Sequence, residues 1–284
     1  MVLAEILAGR RADLPGAVVF AFQPAEEVAQ GALPMIQDGV MDDPRVDAVV
    51  GFHLVNGLPA GVVSVRSGPA MSSADEISIT IEGHGGHGAI PQLAVDSIVA
   101  AAHVITGLQT VVSRETSPLD PVVVTIGTIQ AGTAFNIIPD RVEMRGTVRA
   151  FTEETRERTL RRIEAIAAGV ATAYRARATV TNRFGCPPVV NDPGVTAVVR
   201  QVAADVVGPE RVHEAELWTA SDDMAYFLQR APGCYFNVGS NNMLRGLSAP
   251  HHNARFDFDE EALVVAAKVL GGAVLHLLEA GGHQ

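Results

Sequence analysis

The sequence predicts a mixed α/β chain in which one α/β domain is interrupted by a smaller antiparallel one. Three observations carry that reading. Residues 17–22 and 46–52 are short unbroken apolar runs, of the kind buried on both faces of a parallel sheet, with room for a short helix between them. Between residues 72 and 184 the patterns follow the order β-α-β-β-α-β, the split arrangement of ferredoxin-like domains. The 284 residues are 48% hydrophobic and 19% charged, which is core-forming material and excludes a disordered chain. The expected division is residues 1–71 and 185–284 for the outer domain, and 72–184 for the insertion.

Element by element, residues 1–9 read as a helix, because Met1, Leu3, Ile6 and Leu7 recur at helical spacing. The run 17–22 is expected as a strand that ends just before Glu26 and Glu27. Residues 28–39 fit a short helix closed by Gly39, and 46–52 a second strand with His53 at its end. Ligands in parallel sheets gather at the carboxyl ends of strands, which is where these acids and this histidine fall. In the insertion, Ile77, Ile79 and Ile81 alternate with polar residues, so the segment reads as a half-buried strand. Helices are expected over 94–114 and 153–174, the second capped by Thr152, with strands over 121–130, 141–151 and 178–184. A helix over 193–207 follows. Ser221 is expected to cap another, with Asp222 and Asp223 in its first turn against the helix dipole. A strand at 234–238, a loop with paired histidines and a closing helix over 259–278 complete the chain.

The balance of 21 basic against 32 acidic residues gives −11, and no basic patch stands out, which argues against a nucleic-acid partner. No uninterrupted apolar run approaches the ~20 residues of a membrane span, so no membrane partner is expected. Two cysteines, Cys186 and Cys234, are too few for a disulfide framework, and a reducing cytoplasm is the expected compartment. Acidic Glu5 and the lack of a basic leader separate the opening residues from a signal peptide.

Five places could carry chemistry. Adjacent carboxylates at Glu26-Glu27 repel unless a cation or proton lies between them, though two solvated loop acids would look the same. His53 is either structural or a ligand, and His251-His252 either an exposed pair or ligands. Taken together, Glu, His and His on three loops at one sheet edge suit a divalent metal, with one acid as ligand and its neighbour as base toward water. The stretch Gly83-His84-Gly85-Gly86-His87-Gly88 lacks the lysine and Ser/Thr of a phosphate loop; its glycines either present His87 or form a flexible turn. Asn136, in an apolar loop between strands, either shapes a turn or points its amide at a ligand. Neither Ser113 nor Ser221 has a nucleophile-elbow context, and neither cysteine sits in a C-x-x-C pair.

These segments together resemble the metal-dependent amidohydrolases related to hippurate hydrolase, N-acyl-amino-acid deacylases and plant indole-acetyl-amino-acid hydrolases. The matching stretches are Phe22-Gln23-Pro24-Ala25-Glu26-Glu27, Gly51-Phe52-His53, residues 83–91, residues 131–140, Gly146-Thr147-Val148-Arg149 and His252-Asn253-Ala254-Arg255-Phe256-Asp257-Phe258. They occur in order over essentially the whole chain. The resemblance implies a zinc-peptidase-like metal-binding α/β domain interrupted by a dimerisation domain, hence a homodimer through residues 72–184. It implies hydrolysis of the amide bond of N-acyl amino acids, with Glu26 as general base and Glu27, His53 and His252 as metal ligands, His251 being the fallback. His87 is implied as a substrate or oxyanion contact, reaching across a dimer, with Asn136 and Arg149 as weaker substrate-binding candidates. The cofactor implied is a divalent ion among zinc, manganese, cobalt and nickel, since oxygen and nitrogen donors accept all of these.

The sequence departs from the family at one point. The family carries a Cys-Gly-His-Asp-Gly-His type motif ahead of the strand preceding Pro-Ala-Glu-Glu, and no such motif occurs here. The expectation is that roughly the first hundred residues of a family-length enzyme are absent, leaving one ion or none where a complete enzyme holds two, with activity reduced or lost. Two alternatives stand beside the amidohydrolase: a non-catalytic dimerising module, and a carbamoyl-amino-acid hydrolase or aminopeptidase relative.

Overall fold

The computed structural model describes residues 1–281. Along the chain run α1 (Val2–Gly9), α2 (Ala32–Gln37), β1 (Val49–Pro59), β2 (Val63–Val65), β3 (Gly68–Met71), β4 (Ala74–Glu82), β5 (Gly86–His87), α3 (Ser97–Arg114), β6 (Val122–Ala131), β7 (Ile137–Ile138) and β8 (Arg141–Ala150). Then come α4 (Glu153–Ala173), β9 (Arg177–Cys186), β10 (Val189–Asn191), α5 (Pro193–Val207), β11 (Val212–Glu214), α6 (Met224–Leu228), β12 (Gly233–Asn241) and α7 (Glu261–Gly281). They form two compact units. Among the described residues the first comprises 1–70, 189–218 and 222–281, the second Met71–Pro188 and Thr219–Ser221.

In the first unit a four-stranded sheet has the order β1-β12-β2-β11. β1 runs parallel to β12, β2 runs antiparallel to β12, and β11 runs parallel to β2. Alternation along β12 divides its side chains between two faces. Cys234, Phe236 and Val238 enter a core with Val195 and Val199 of α5 and Ala262, Ala266, Val269 and Ala273 of α7. The intervening Tyr235 belongs to a second cluster on the other face, with Ala32 and Ile36 of α2 and Met224 and Phe227 of α6. β1 follows the same rule: Val50, Phe52 and Leu54 pack toward α5 and α7, which leaves His53 on the α6 face. By length and composition alone α7 could cross a membrane, yet its small residues line the first core.

Two expectations are corrected here. Residues 17–22 are extended but form no strand. A strand requires a ladder partner; β1 pairs only with β12, and nothing among the described residues pairs with this run, so Val19 and Phe22 stay exposed. His53 does not end its strand. The ladder continues from His53↔Asn237 through Val55↔Gly239, so the histidine lies mid-strand.

The second unit has the order β6-β8-β4-β9, with every neighbouring pair antiparallel. With α3 and α4 this is the expected β-α-β-β-α-β arrangement. Ile77, Ile79 and Ile81 of β4 are fully buried, against Val104 and Leu108 of α3, Ile163 and Ala167 of α4, and Val142, Met144 and Val148 of β8. Thr152 caps α4 as expected, accepting from Thr155 N–H. α3 starts at Ser97, three residues later than periodicity alone suggests. Residues Pro91–Leu93 form a separate 3₁₀ turn, and the Asp96 carboxylate accepts the N–H groups of Ile98 and Val99, which sets the helix start.

Candidate metal centre

The candidate acids and His53 of the first unit belong with the sheet face away from α5 and α7, the face of Tyr235 and α6. Glu26 and Glu27 sit on a 3₁₀ turn, Glu26–Val28, between Ala25 (φ 55°) and Ala29 (φ 51°). Both flanking alanines are left-handed, a conformation that non-glycine residues hold only when the surroundings impose it. The constraint comes from Asp223. Its Oδ2 accepts the N–H groups of Gly31 and Ala32, each at 3.0 Å, and its Oδ1 accepts from the Gln23 amide. Gly31 returns so close to Pro24 that a Cβ there would stand 1.7 Å from the Pro24 carbonyl oxygen, so only glycine fits.

Asp222, next along, accepts Met224 N–H at 2.8 Å through Oδ1 and the Tyr235 hydroxyl at 2.7 Å through Oδ2. The two aspartates therefore do not sit within the first turn of a helix capped by Ser221. The helix begins at Met224, and both carboxylates are buried beneath the Glu26 turn. One oxygen from each of Glu26, Asp222 and Asp223 lies within 4.8 Å of the others. Three carboxylates this close cannot all remain charged without a proton or cation among them. Partial burial, then Asp222, Asp223 and Glu27, push the Glu26 carboxyl up to about 7. Burial likewise raises Asp222, against the opposing bonds from Met224 and Tyr235, and burial plus Asp222 hold the Tyr235 phenol well above its ordinary value.

The histidines divide by what their ring nitrogens face. His53 Nδ1 lies 2.5 Å from the Leu54 carbonyl oxygen, a contact that requires Nδ1–H, so that in the neutral ring Nε2 is the nitrogen left to accept or ligate. That tautomer suits a metal ligand, whose second ring nitrogen donates to a backbone oxygen. The His53 ring packs edge-on against Trp218, Tyr235 and His251, at centroid distances of 5.5, 6.4 and 5.3 Å. His251 Nε2 accepts the Asn56 N–H at 3.1 Å, and burial followed by the neighbouring His53 and His252 lowers its pKa. His252 is exposed, left-handed at φ 63°, and its Nε2 stands 3.8 Å from Glu27 Oε2. Glu27 and His252 thus face each other as a carboxylate–imidazole pair of the kind divalent cations accept, but His53 is not gathered with them: among the described residues the one set of three donor side chains within 4.8 Å of one another is Glu26, Asp222 and Asp223.

The remaining candidates belong to the second unit. β5 and β7 pair antiparallel, with His87 opposite Ile137, which joins the glycine-rich loop to the Asn136 loop. Gly88 N–H donates to the Asn136 carbonyl at 2.8 Å, and Ala89 N–H to His87 Nδ1 at 3.0 Å. Both residues are exposed. The Arg149 guanidinium bonds to its own strand, at the Thr147 hydroxyl and the Val148 carbonyl. Asp222, Asp223, Tyr235 and Asn56 were not singled out by sequence reasoning as site residues. The doubled acid at 222–223 repeats the pattern of 26–27, but nothing local reveals that it is buried.

Comparison with known proteins identifies the family. The sequence profile of Peptidase family M20/M25/M40 matches residues 1–276. The chain is 41% identical over 276 residues to N-acetylcysteine deacetylase of Bacillus subtilis strain 168, covering 97% of this chain and 70% of that protein. It is 37% identical over 281 residues to IAA-amino acid hydrolase ILR1-like 4 of Arabidopsis thaliana, covering 97% of this chain and 63% of the relative. The solved structure of the Bacillus subtilis YXEP protein, a dinuclear metal-binding peptidase of the M20 family, superimposes with a TM-score of 0.83 at 34% identity, covering 98% of this chain and 69% of that one. By the profile and these identities, the chain belongs to peptidase family M20/M25/M40 and is a metal-dependent amidohydrolase.

Proposed function

We propose that the chain hydrolyses the amide bond of N-acyl amino acids, with Glu26 as general base and Glu27, His53 and His252 as ligands of a divalent ion. The observation that carries this is the turn at 26–28. It holds Glu26 among buried acids with a carboxyl pushed up to about 7, while Glu27 faces His252 at 3.8 Å. A base whose pKa lies near neutrality takes a proton from water and can return it.

A divalent ion, when bound, polarises the scissile carbonyl and acidifies water. The remaining work falls to this chain. The Glu26 carboxylate takes one proton from the attacking water as the new C–O bond forms. As the C–N bond breaks, Glu26 gives that proton to the departing amine nitrogen, leaving an acid and a free amino group. His53 is held by its Nδ1 contact to Leu54, so its Nε2 keeps one direction. His251 Nε2 is occupied by Asn56, which favours His252 as the ligand of that pair. His87 and Asn136 are proposed to bind substrate, with Arg149 in a lesser role. The unit of residues 72–184 is proposed to pair two copies of the chain in a cytoplasmic homodimer. Zinc, manganese, cobalt and nickel all suit the ligands.

The test is elemental analysis of the purified chain after loading with each metal, together with turnover of a series of N-acyl amino acids. Stoichiometric metal with amide cleavage is the expected result; a chain that takes up no metal and cleaves none of the series overturns the reading.

A further inference from the structure

Asn56, 4% exposed on β1, uses every hydrogen-bonding group it has. Its Nδ2 donates to the carbonyls of Ala249 at 2.7 Å and Asp257 at 3.0 Å. Its Oδ1 accepts from Ser240 Oγ at 2.8 Å, its carbonyl accepts from Asn241 Nδ2 at 3.1 Å, and its N–H donates to His251 Nε2 at 3.1 Å. One amide nitrogen thus ties both ends of the 249–257 segment, and the same residue's backbone pins the ring of His251 inside it. The segment's own bonds are short-range: Asn253 N–H to Pro250 O, Phe256 N–H to Asn253 O, and Arg255 N–H to Asn253 Oδ1. Such turns shape the loop without anchoring it to the sheet; besides Asn56, the His251 ring reaches β1 through a bond to the Leu54 backbone. His252, within this loop, sits at φ 63°, which a non-glycine residue keeps only under outside constraint.

From this geometry we infer that Asn56 is a positioning residue for the metal centre: it holds the 249–257 loop closed so that His252 faces Glu27. The inference rests on the metal-ligand reading of His252 given above. Only an amide does this at residue 56, because the position must present two donors to two carbonyls and one acceptor to a hydroxyl. Aspartate would keep the acceptor and set an oxygen against both carbonyls.

The test uses the full chain, with Co²⁺ alone as the probe and amide hydrogen exchange as a metal-free readout. Asn56→Ala is expected to speed exchange across 249–257 while α3 and α4 keep their protection. It should also weaken Co²⁺ binding about 10- to 100-fold, the range for losing a group that orients a ligand, and alter the visible absorption of the bound ion. Ser240→Ala, which loosens Asn56 without emptying its place, should shift both readouts the same way by less. This second variant keeps the test decisive if Asn56→Ala does not fold. Unchanged exchange at 249–257 in the folded variants overturns the inference, as does faster exchange with unaltered Co²⁺ affinity and spectrum. A wild-type chain that takes up no Co²⁺ overturns the metal reading and the inference with it, and that outcome is distinguished by the wild type alone.

Discussion

Asp223 Oδ2 accepts the N–H of Ala32 at 3.0 Å across 191 positions of sequence, and the Gly31 N–H at the same distance. Both residues donating there would otherwise be buried N–H groups at the start of α2. Asp223→Ala strands them, at about 1–3 kcal/mol for each unsatisfied group. The expected outcome is a loss of about 2–5 kcal/mol in urea unfolding, with Asp223→Asn losing less because one oxygen remains to accept. Equal stability of wild type and Asp223→Ala would show that this carboxylate does not hold the Glu26 turn.

Glu26 and Glu27 are neighbours with different surroundings, and their substitutions should separate. Glu26→Gln keeps shape and removes the base, so turnover should fall by about 10²–10⁴-fold while metal affinity stays near wild type. Glu27→Ala should weaken metal binding itself, because its oxygen faces His252. Calorimetric titration with Zn²⁺ beside steady-state kinetics distinguishes the two. A Glu26→Gln chain with full turnover rules out the assigned base.

In the second unit, Asp75 and Arg156 form a buried pair, joined at 2.6 and 2.7 Å, with side chains 0% and 2% exposed. Glu153 adds a third partner, and the guanidinium lies 3.5 Å from the centre of the Phe184 ring. Removing one charge leaves the other stranded. Asp75→Ala should therefore cost about 3–5 kcal/mol, and a double variant with Leu at 75 and Met at 156 should recover much of that. Denaturant unfolding of the singles and the double reads this directly; full additivity of two large losses would contradict it.

Asp259 gives a pH dependence with a definite sign. The Asn242 amide bond, then the Glu261 N–H, hold its carboxyl below the ordinary 3.8. A group depressed in the folded state stabilises above its unfolded value, and that contribution is lost as pH falls through the folded value. Wild type should exceed Asp259→Asn in thermal stability at pH 7, and the gap should close as pH drops below 3.8. A gap that widens on acidification would reverse the assignment.

Burial pushes the Cys234 thiol up to about 12, and Cys186 is buried as well. Neither should react with a disulfide reagent at pH 8 while the chain is folded, and both should react in denaturant. Rapid labelling of the native chain would contradict that burial.

Much of the second unit was legible in the sequence, because its signals are local. The three isoleucines of β4 alternate with polar residues, and Thr152 precedes a helical period, so strand and helix follow from neighbours a few positions apart. Glu26, Glu27, His53 and His252 were visible as candidates through motif resemblance, but their arrangement was not. The run at 17–22 has strand composition and forms no strand, since pairing depends on a partner elsewhere rather than on the run itself.

The sequence by itself determined the long helices α4 and α5, the alternation of β4, and which residue types are available for metal and proton chemistry, whereas the helix expected over 28–39 is only Ala32–Gln37. Only the tertiary structure decided that Asp222 and Asp223, which read as acids opening a helix, are buried beside Glu26 nearly two hundred positions away, and that Asn56 closes the loop of His252. The physical reason is range. Periodicity and capping act over one or two turns of chain, whereas the desolvation and repulsion that set the Glu26 carboxyl depend on which distant carboxylates the packing brings together.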